Sequence, residues 1–230
     1  MRLLDLFCGA GGASMGYHRA GFEVVGVDIN PQPDYPFEFW KEDALDLLDD
    51  IVGALEIDPW NMPHGFHAVH ASPPCQANSR AKHLREAQGG KVKEHGADLL
   101  DPVRSRLRLL GVPYALENVP GAAMYGVTLC GSQFGLHCDK GPLRRHRMFE
   151  SNVYVPPLVC DHSRAAGRPV GVYHVMGDSI PKGGRTAESV AEAQELLGID
   201  WTDKWDSLKE AIPPAYTEYV GQFLKEALLA

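Results

Sequence analysis

Arg2-Leu3-Leu4-Asp5-Leu6-Phe7, running directly into Cys8-Gly9-Ala10-Gly11-Gly12, is the stretch that decides how this chain folds. The first part is short, apolar and strand-like, and the glycines after it let the backbone turn tightly and approach a ligand. Ala13 to Ala20 has helical character, with Gly21 as its C-terminal stop. Glu23-Val24-Val25-Gly26-Val27-Asp28 is the next strand and ends on an acid. Strand, glycine turn, helix and strand make a βαβ opening, which puts the chain in the α/β class. The spacing is not G-x-G-x-x-G. An acid at the second strand's end suits a ribose diol, so an adenosine-type cofactor is favoured over a dinucleotide.

Further along, Phe66-His67-Ala68-Val69-His70 reads as a buried strand leading into Ala71-Ser72-Pro73-Pro74-Cys75-Gln76. The two prolines end the strand and present the thiol at its carboxyl end. Val112 to Leu116 is another strand-like run, and it delivers Glu117 in Leu116-Glu117-Asn118-Val119. A presented thiol and a carboxyl group suggest a nucleophile and a proton donor acting on one substrate. Thr128-Leu129-Cys130 and Arg147-Met148-Phe149-Glu150 are further short strands.

Helices are expected over Ala97 to Leu110, stopped by Gly111, and over Thr186 to Leu197, with Thr186 as N-cap and Gly198 as stop. Pro213-Pro214 start a last helix, Ala215 to Leu229, with Tyr216, Tyr219, Val220, Phe223 and Leu224 on one face. Asp49 to Pro63 shows no regular pattern. Ala77 to Gly96 is polar, without sustained period, and reads as a long loop of the kind that serves as a lid. Ser151 to Arg185 is rich in Pro, Gly and small residues and reads as loops around a small hairpin.

A length of 230 residues suits one α/β domain with a good core. No run is long enough for a membrane helix and no signal peptide is evident, so the cytoplasm is the expected compartment. Five cysteines without a CxxC pair fit a reducing environment. The net charge of −8 argues mildly against a nucleic-acid partner. Its distribution weakens that objection. Arg80, Lys82, Arg85, Lys91 and Lys93 outnumber Glu86 and Glu94 in one loop, and Arg144, Arg145, His146 and Arg147 form a second basic knot.

In order and spacing, these stretches resemble motifs of the DNA (cytosine-5) methyltransferases. Asp5 to Gly12 resembles the first motif, Ser72 to Gln76 the catalytic one, and Glu117-Asn118-Val119 the ENV motif. Arg145-His146-Arg147 matches an R-x-R motif, and Ala211-Ile212-Pro213-Pro214 through Gly221 resembles the closing one. The resemblance implies a Rossmann-like S-adenosylmethionine-dependent methyltransferase fold, a mixed, mostly parallel sheet with helices on both faces. Residues 1–150 would be the catalytic and cofactor-binding part, 151–185 a reduced target-recognition segment, and 186–230 helices completing the domain.

The resemblance also implies roles. Cys75 would attack C6 of a cytosine flipped out of duplex DNA, making C5 able to take a methyl group from S-adenosylmethionine. Glu117, with Asn118 beside it, would hold N3 and the exocyclic amine; Arg147 would contact O2, and Arg145 would support the loop or a phosphate. Phe7 would stack on the adenine, Gly9, Ala10 and Gly12 would allow close approach, and Asp28 and Ile29 would meet the ribose. Asp43 and Ala44 would lie at the adenine, and Pro74 near the sulfonium. Gln76, together with Ser79, Arg80, Lys82 and Arg85 of the 77–96 loop, would contact DNA, with Arg164, Arg168, Lys182 and Arg185 contacting it from the recognition segment. A monomer is expected, and nothing indicates a fused nuclease. The reaction needs no metal and none is assigned, although His137, Cys138, Cys160 and His162 are zinc-ligand types. Cys8 and Cys130 read as core residues.

The chain departs from the family at four places. Only Ser151 to Arg185 occupies the recognition interval, which suits a short or relaxed target. Leu143 stands where a glutamine is usual, Asn78 where an aromatic is usual, and Glu210 where an asparagine is usual. An RNA cytosine-5 enzyme, or transfer of a non-methyl group to C5, is the alternative on the same scaffold.

Overall fold

The computed structural model describes residues 1–74, 98–160, 162, 169–172 and 185–230. In chain order the first elements are β1 (Arg2–Leu6), α1 (Gly12–Arg19), β2 (Glu23–Asp28), β3 (Glu38–Lys41), α2 (Ala44–Ile57) and β4 (Phe66–Ala71). They are followed by α3 (Leu100–Leu107), β5 (Tyr114–Asn118), β6 (Val127–Leu129), β7 (His137–Cys138), β8 (Gly141–Pro142) and β9 (Arg147–Ser151). β10 (Val170–Gly171), β11 (Arg185–Thr186), α4 (Val190–Leu197), α5 (Trp205–Glu210) and α6 (Pro214–Leu229) complete the chain.

Seven strands form one sheet in the order β3-β2-β1-β4-β5-β9-β6. The first five run parallel, and β9 is antiparallel to both β5 and β6. Parallel strands bury both faces, and β1 shows the pattern, with Leu3, Leu4, Asp5 and Leu6 all buried. Leu4, Leu6, Val25 and Val27 pack with Leu47, Leu48 and Ile51 of α2 and with Val103 and Leu107 of α3. Leu3 and Val24 face the other way, toward Tyr17 of α1 and Tyr216, Val220 and Leu224 of α6. Helices therefore cover both faces, as the resemblance implies. A third, smaller core joins Leu143 and Val170 to Leu196, Leu197 and Leu208. Among the described residues no helix is long and apolar enough to cross a membrane.

Three local expectations are corrected. The region from Asp49, read as irregular, belongs largely to the helix α2, which begins earlier, at Ala44. Asp43 caps it by accepting from the Leu45 and Asp46 amides, and Ala44, Leu47, Leu48 and Ile51 make a buried face at helical spacing. Thr186 is not a cap but lies in β11; the cap of α4 is Ser189, which accepts from Glu192 N. The strand pair of the recognition segment is not a hairpin, because Val170 and Gly171 pair in parallel with Arg185 and Thr186.

Among the described residues α1 and α6 pack in close contact. A β-carbon on Gly16 would lie 2.1 Å from both Pro214 O and Thr217 Oγ1, while Thr217 Oγ1 donates to Ala13 O at 2.8 Å. Only a residue without a side chain lets the two backbones approach this far. Gly16→Ala is accordingly expected to cost about 1–3 kcal/mol by overpacking. Gly53 lies within α2 with open space around it, so Gly53→Ala is expected to stabilise by about 0.5–1 kcal/mol. Urea unfolding of the two variants tests both signs.

Candidate active site

β1, β2, β4 and β5 end at one edge of the sheet, and β9 begins there. The strand order turns back between β1 and β4, which is where α/β sheets take their ligands. After β1 the chain passes through Phe7 and Gly9 with φ of 59° and 49°, a left-handed turn that lifts the loop off the sheet. Gly9 N donates to Asp28 Oδ2 at 3.2 Å and Asn30 N to Asp28 Oδ1 at 2.9 Å, so Asp28 is held at the end of β2 with lone pairs to spare. Nothing lies within 4 Å of a β-carbon built on Gly9. Ile29 beside it is 59% exposed, while Phe7 packs against the core edge. An open glycine turn, an oriented acid and an exposed apolar side chain fit an adenosine group.

Other residues expected at the cofactor have structural work of their own. A β-carbon on Gly12 would meet Ile212 O at 2.4 Å, so this glycine serves packing onto the closing segment. Ala10 O accepts from Trp201 Nε1 at 2.7 Å, which latches the C-terminal part to the glycine loop. Asp43 caps α2 through Oδ1, and Ala44 is buried. Burial pushes the Cys8 thiol up, as suits a core residue.

On the neighbouring strands, Arg147 Nε lies 3.1 Å from Glu117 Oε1, with both side chains largely buried. The antiparallel register Glu117↔Phe149 and Asn118↔Met148 places the arginine there. Burial raises the Glu117 carboxyl above its ordinary value, while the Arg147 charge and a hydrogen bond from Ser72 act against that rise. Among the described residues Oε1 makes no hydrogen bond of good geometry, so its contact with Arg147 is an ion pair without one. Asn118 Nδ2 donates to Pro73 O at 3.1 Å, so this residue ties the end of β5 to the Pro-Pro turn. Pro74, the last described residue of that turn, is exposed. Arg145 is buried; it donates to Val172 O at 3.2 Å and Lys209 O at 2.7 Å, and its own carbonyl accepts from Tyr216 at 2.6 Å. It braces the loop from inside.

Cys75, Gln76, Ser79, Arg80, Lys82, Arg85, Arg164, Arg168, Lys182 and Asn78 lie outside the described residues. Arg185 is exposed on β11. Leu143 is fully buried in the third core, which explains an apolar residue there, and Glu210 is exposed at the end of α5. The zinc-type residues group differently from the expectation. Cys160 and His162 meet Cys130 and His146. His137 Nδ1 lies 2.7 Å from Gly135 O, and Cys138 is buried in the third core. A cleft of about 410 Å³ between β3 and α2, lined by Trp40, Leu47 and His64 among others, holds none of these groups.

Behind the site lies a buried polar chain that motif reading passes over. His70 bonds Tyr17 OH through Nδ1 at 2.9 Å and Ser72 Oγ through Nε2 at 2.7 Å. Asp5 Oδ1 is 4.0 Å from His70 Nε2, and Ser14 donates to Asp5 Oδ2. Burial pushes Asp5 up to about 7 and His70 down to about 3, so His70 is neutral and Asp5 ionises far less readily than an ordinary carboxyl. Ser72 thus links this chain to Glu117. Polar residues inside an apolar strand, Asp5 in β1 and His70 in β4, were the available signal.

A seven-stranded sheet ordered in this way, with one antiparallel strand and a glycine turn after β1, is the fold of the S-adenosylmethionine-dependent methyltransferases. The S. pombe Dnmt2 methyltransferase superposes with a TM-score of 0.59 at 14% identity, over 99% of each chain. Residues 1–99 match the family of C-5 cytosine-specific DNA methylases. A Methanocaldococcus jannaschii protein carrying a type II methyltransferase name is 25% identical, over 89% of this chain and 70% of that one. The type II methyltransferase M.AgeI of Thalassovita gelatinovora is 27% identical, over 65% of this chain and 38% of its own length. The likeness to C-5 cytosine-specific DNA methylases thus covers the first 99 residues, and the two type II methyltransferases share about a quarter of their aligned residues with this chain.

The buried histidine generates a pH test. Its folded pKa of about 3 lies below the ordinary 6.5. His70 therefore contributes stability that is present above about pH 6.5 and is lost as pH falls toward about 3, at a limiting 1.4 kcal/mol per pH unit. His70→Gln removes that titration. The stability gap between wild type and variant, measured by urea unfolding, should narrow on acidification from about pH 6.5 to about 4.5. A gap that does not change with pH would contradict a neutral buried histidine.

Proposed function

We propose that the protein methylates C5 of cytosine in DNA, with Cys75 as nucleophile and Glu117 and Arg147 holding the base. The observation that carries this is the Glu117–Arg147 pair. A buried carboxyl with a raised pKa stands 3.1 Å from a guanidinium, beside the Ser72-Pro73-Pro74 turn that leads into Cys75. S-adenosylmethionine bound at Phe7, Gly9, Asp28 and Ile29 would supply an electrophilic methyl group.

The chain's own residues do the rest. The Cys75 thiolate adds to C6, and the electron pair of the C5–C6 bond becomes available at C5. Negative charge spreads toward N3 and O2 as this happens. Glu117 in its acid form donates a proton toward N3, and Arg147 faces O2, so both meet charge where it develops. After C5 has gained its methyl group, loss of the C5 proton restores the double bond and expels Cys75. Asn118 acts by positioning, through its bond to Pro73 O, and Arg145 by bracing the loop before Arg147. Residues 151–185 serve as a recognition segment of limited reach, which suits a short or relaxed target, and the basic residues between Arg80 and Lys93 supply phosphate contacts.

Duplex DNA carrying 5-fluorocytosine blocks the proton loss that frees the enzyme. Incubation with S-adenosylmethionine should trap a covalent adduct at Cys75, read by mass spectrometry of the digested complex. Cys75→Ser should lose turnover and keep cofactor binding, while Glu117→Gln should lower kcat by about 10²-fold or more. Full activity of Cys75→Ser, or trapping on transfer RNA and not on duplex DNA, would overturn the proposal.

A further inference from the structure

Next to the Glu117–Arg147 pair, where β6 ends and β9 begins, four side chains from three separate stretches converge. Cys130 directly follows β6, His146 sits between Arg145 and Arg147 just before β9, and Cys160 and His162 lie beyond β9. Their ligand atoms all lie within 4.8 Å of one another. Cys130 Sγ is 3.4 Å from His162 Nε2, Cys160 Sγ is 3.4 Å from His146 Nε2, and Cys160 Sγ is 3.0 Å from His162 Nε2. Both histidines turn the same ring nitrogen inward, and their rings sit edge to face with centroids 5.1 Å apart.

We propose that Cys130, His146, Cys160 and His162 form a structural zinc site. The argument is geometric. A tetrahedral zinc with bonds of about 2.3 Å to sulfur and 2.0–2.1 Å to nitrogen has sulfur-to-nitrogen edges of about 3.5 Å. The three measured sulfur-to-nitrogen distances fall within about half an ångström of that value. Two thiolates and two imidazoles are the donor set that zinc takes in closed structural sites, and four protein ligands leave no position for a substrate. A first ligand at the end of β6 that is fully buried, with Cys160 exposed at the rim, gives a rigid base and a path of entry. Ser132 Oγ lies 3.6 Å from Cys160 Sγ and can donate to it from outside the metal shell.

The site's place in the chain gives it a function. His146 stands between Arg145, which braces the loop from the core, and Arg147, which pairs with Glu117. Zinc on His146 fastens this loop to the end of β6 and to the start of the recognition segment. The ion contributes no chemistry to the reaction. It sets the position of Arg147 and anchors a segment that is too short to build a core of its own. This holds whichever nucleic acid is the substrate.

The test is the metal content of the purified, reduced full-length chain by inductively coupled plasma mass spectrometry. About one zinc per chain is expected. Cys160→Ser and His162→Ala, both at the accessible side, should each lower it to a small fraction, and His137→Ala should keep it. Cobalt-loaded wild type should show sulfur-to-cobalt charge-transfer absorption that Cys160→Ser weakens. Chelation should speed amide exchange at residues 143–148 by about tenfold or more, reporting on the loop without reference to activity. Three results would overturn the site: no zinc in the chain and no uptake from equimolar zinc under reducing conditions, unchanged zinc in both variants, or a Cys130–Cys160 disulfide in the protein as isolated.

Discussion

The pairing of β9 against β5 in the antiparallel sense is the constraint on which the site depends. A parallel strand at that position would bring its carboxyl end to the active edge. The antiparallel one brings its amino end, and with it Arg147, directly beside Glu117. The carboxyl group is buried by the sheet and would carry its acid form without opposition, but the guanidinium limits that rise. Burial and the nearby positive charge thus pull the Glu117 carboxyl in opposite directions, and burial is the larger of the two.

Around that pair, several of the expected site residues that the structure describes act through the backbone. Asn118 ties β5 to the Pro-Pro turn, Arg145 holds two carbonyls from different segments, and Asp28 orders the glycine loop. Each of these ties fixes a loop to a strand end, and strand ends are rigid because both faces of the sheet are covered. The buried chain through Asp5, His70 and Ser72 adds a polar support beneath Glu117. Burial shifts both Asp5 and His70 toward their neutral forms, which limits the charge the sheet holds next to the site.

The C-terminal part closes the structure by contact at several distant points. Gly16 allows α6 to touch α1, Trp201 bonds Ala10 O, and Asp34 takes Thr202 and Lys204. The glycine loop is thus held from behind by residues far along the chain. That leaves its other side, at Gly9, open.

The sequence by itself determined the α/β class, the βαβ opening, the thiol after two prolines and the glutamate at the next strand's end. These are local patterns, in which apolar runs, glycines and prolines act within a few residues of themselves. The start of α2 is equally local, with Asp43 as cap, but the helix's acids and Gly53 obscure its apolar spacing. The parallel pairing of Val170 with Arg185, the buried work of Arg145, and the meeting of Cys130 and His146 with Cys160 and His162 were decided only by the tertiary structure. Their partners lie far apart in the chain. No residue spacing encodes which distant groups the packing of three cores brings within a few ångströms.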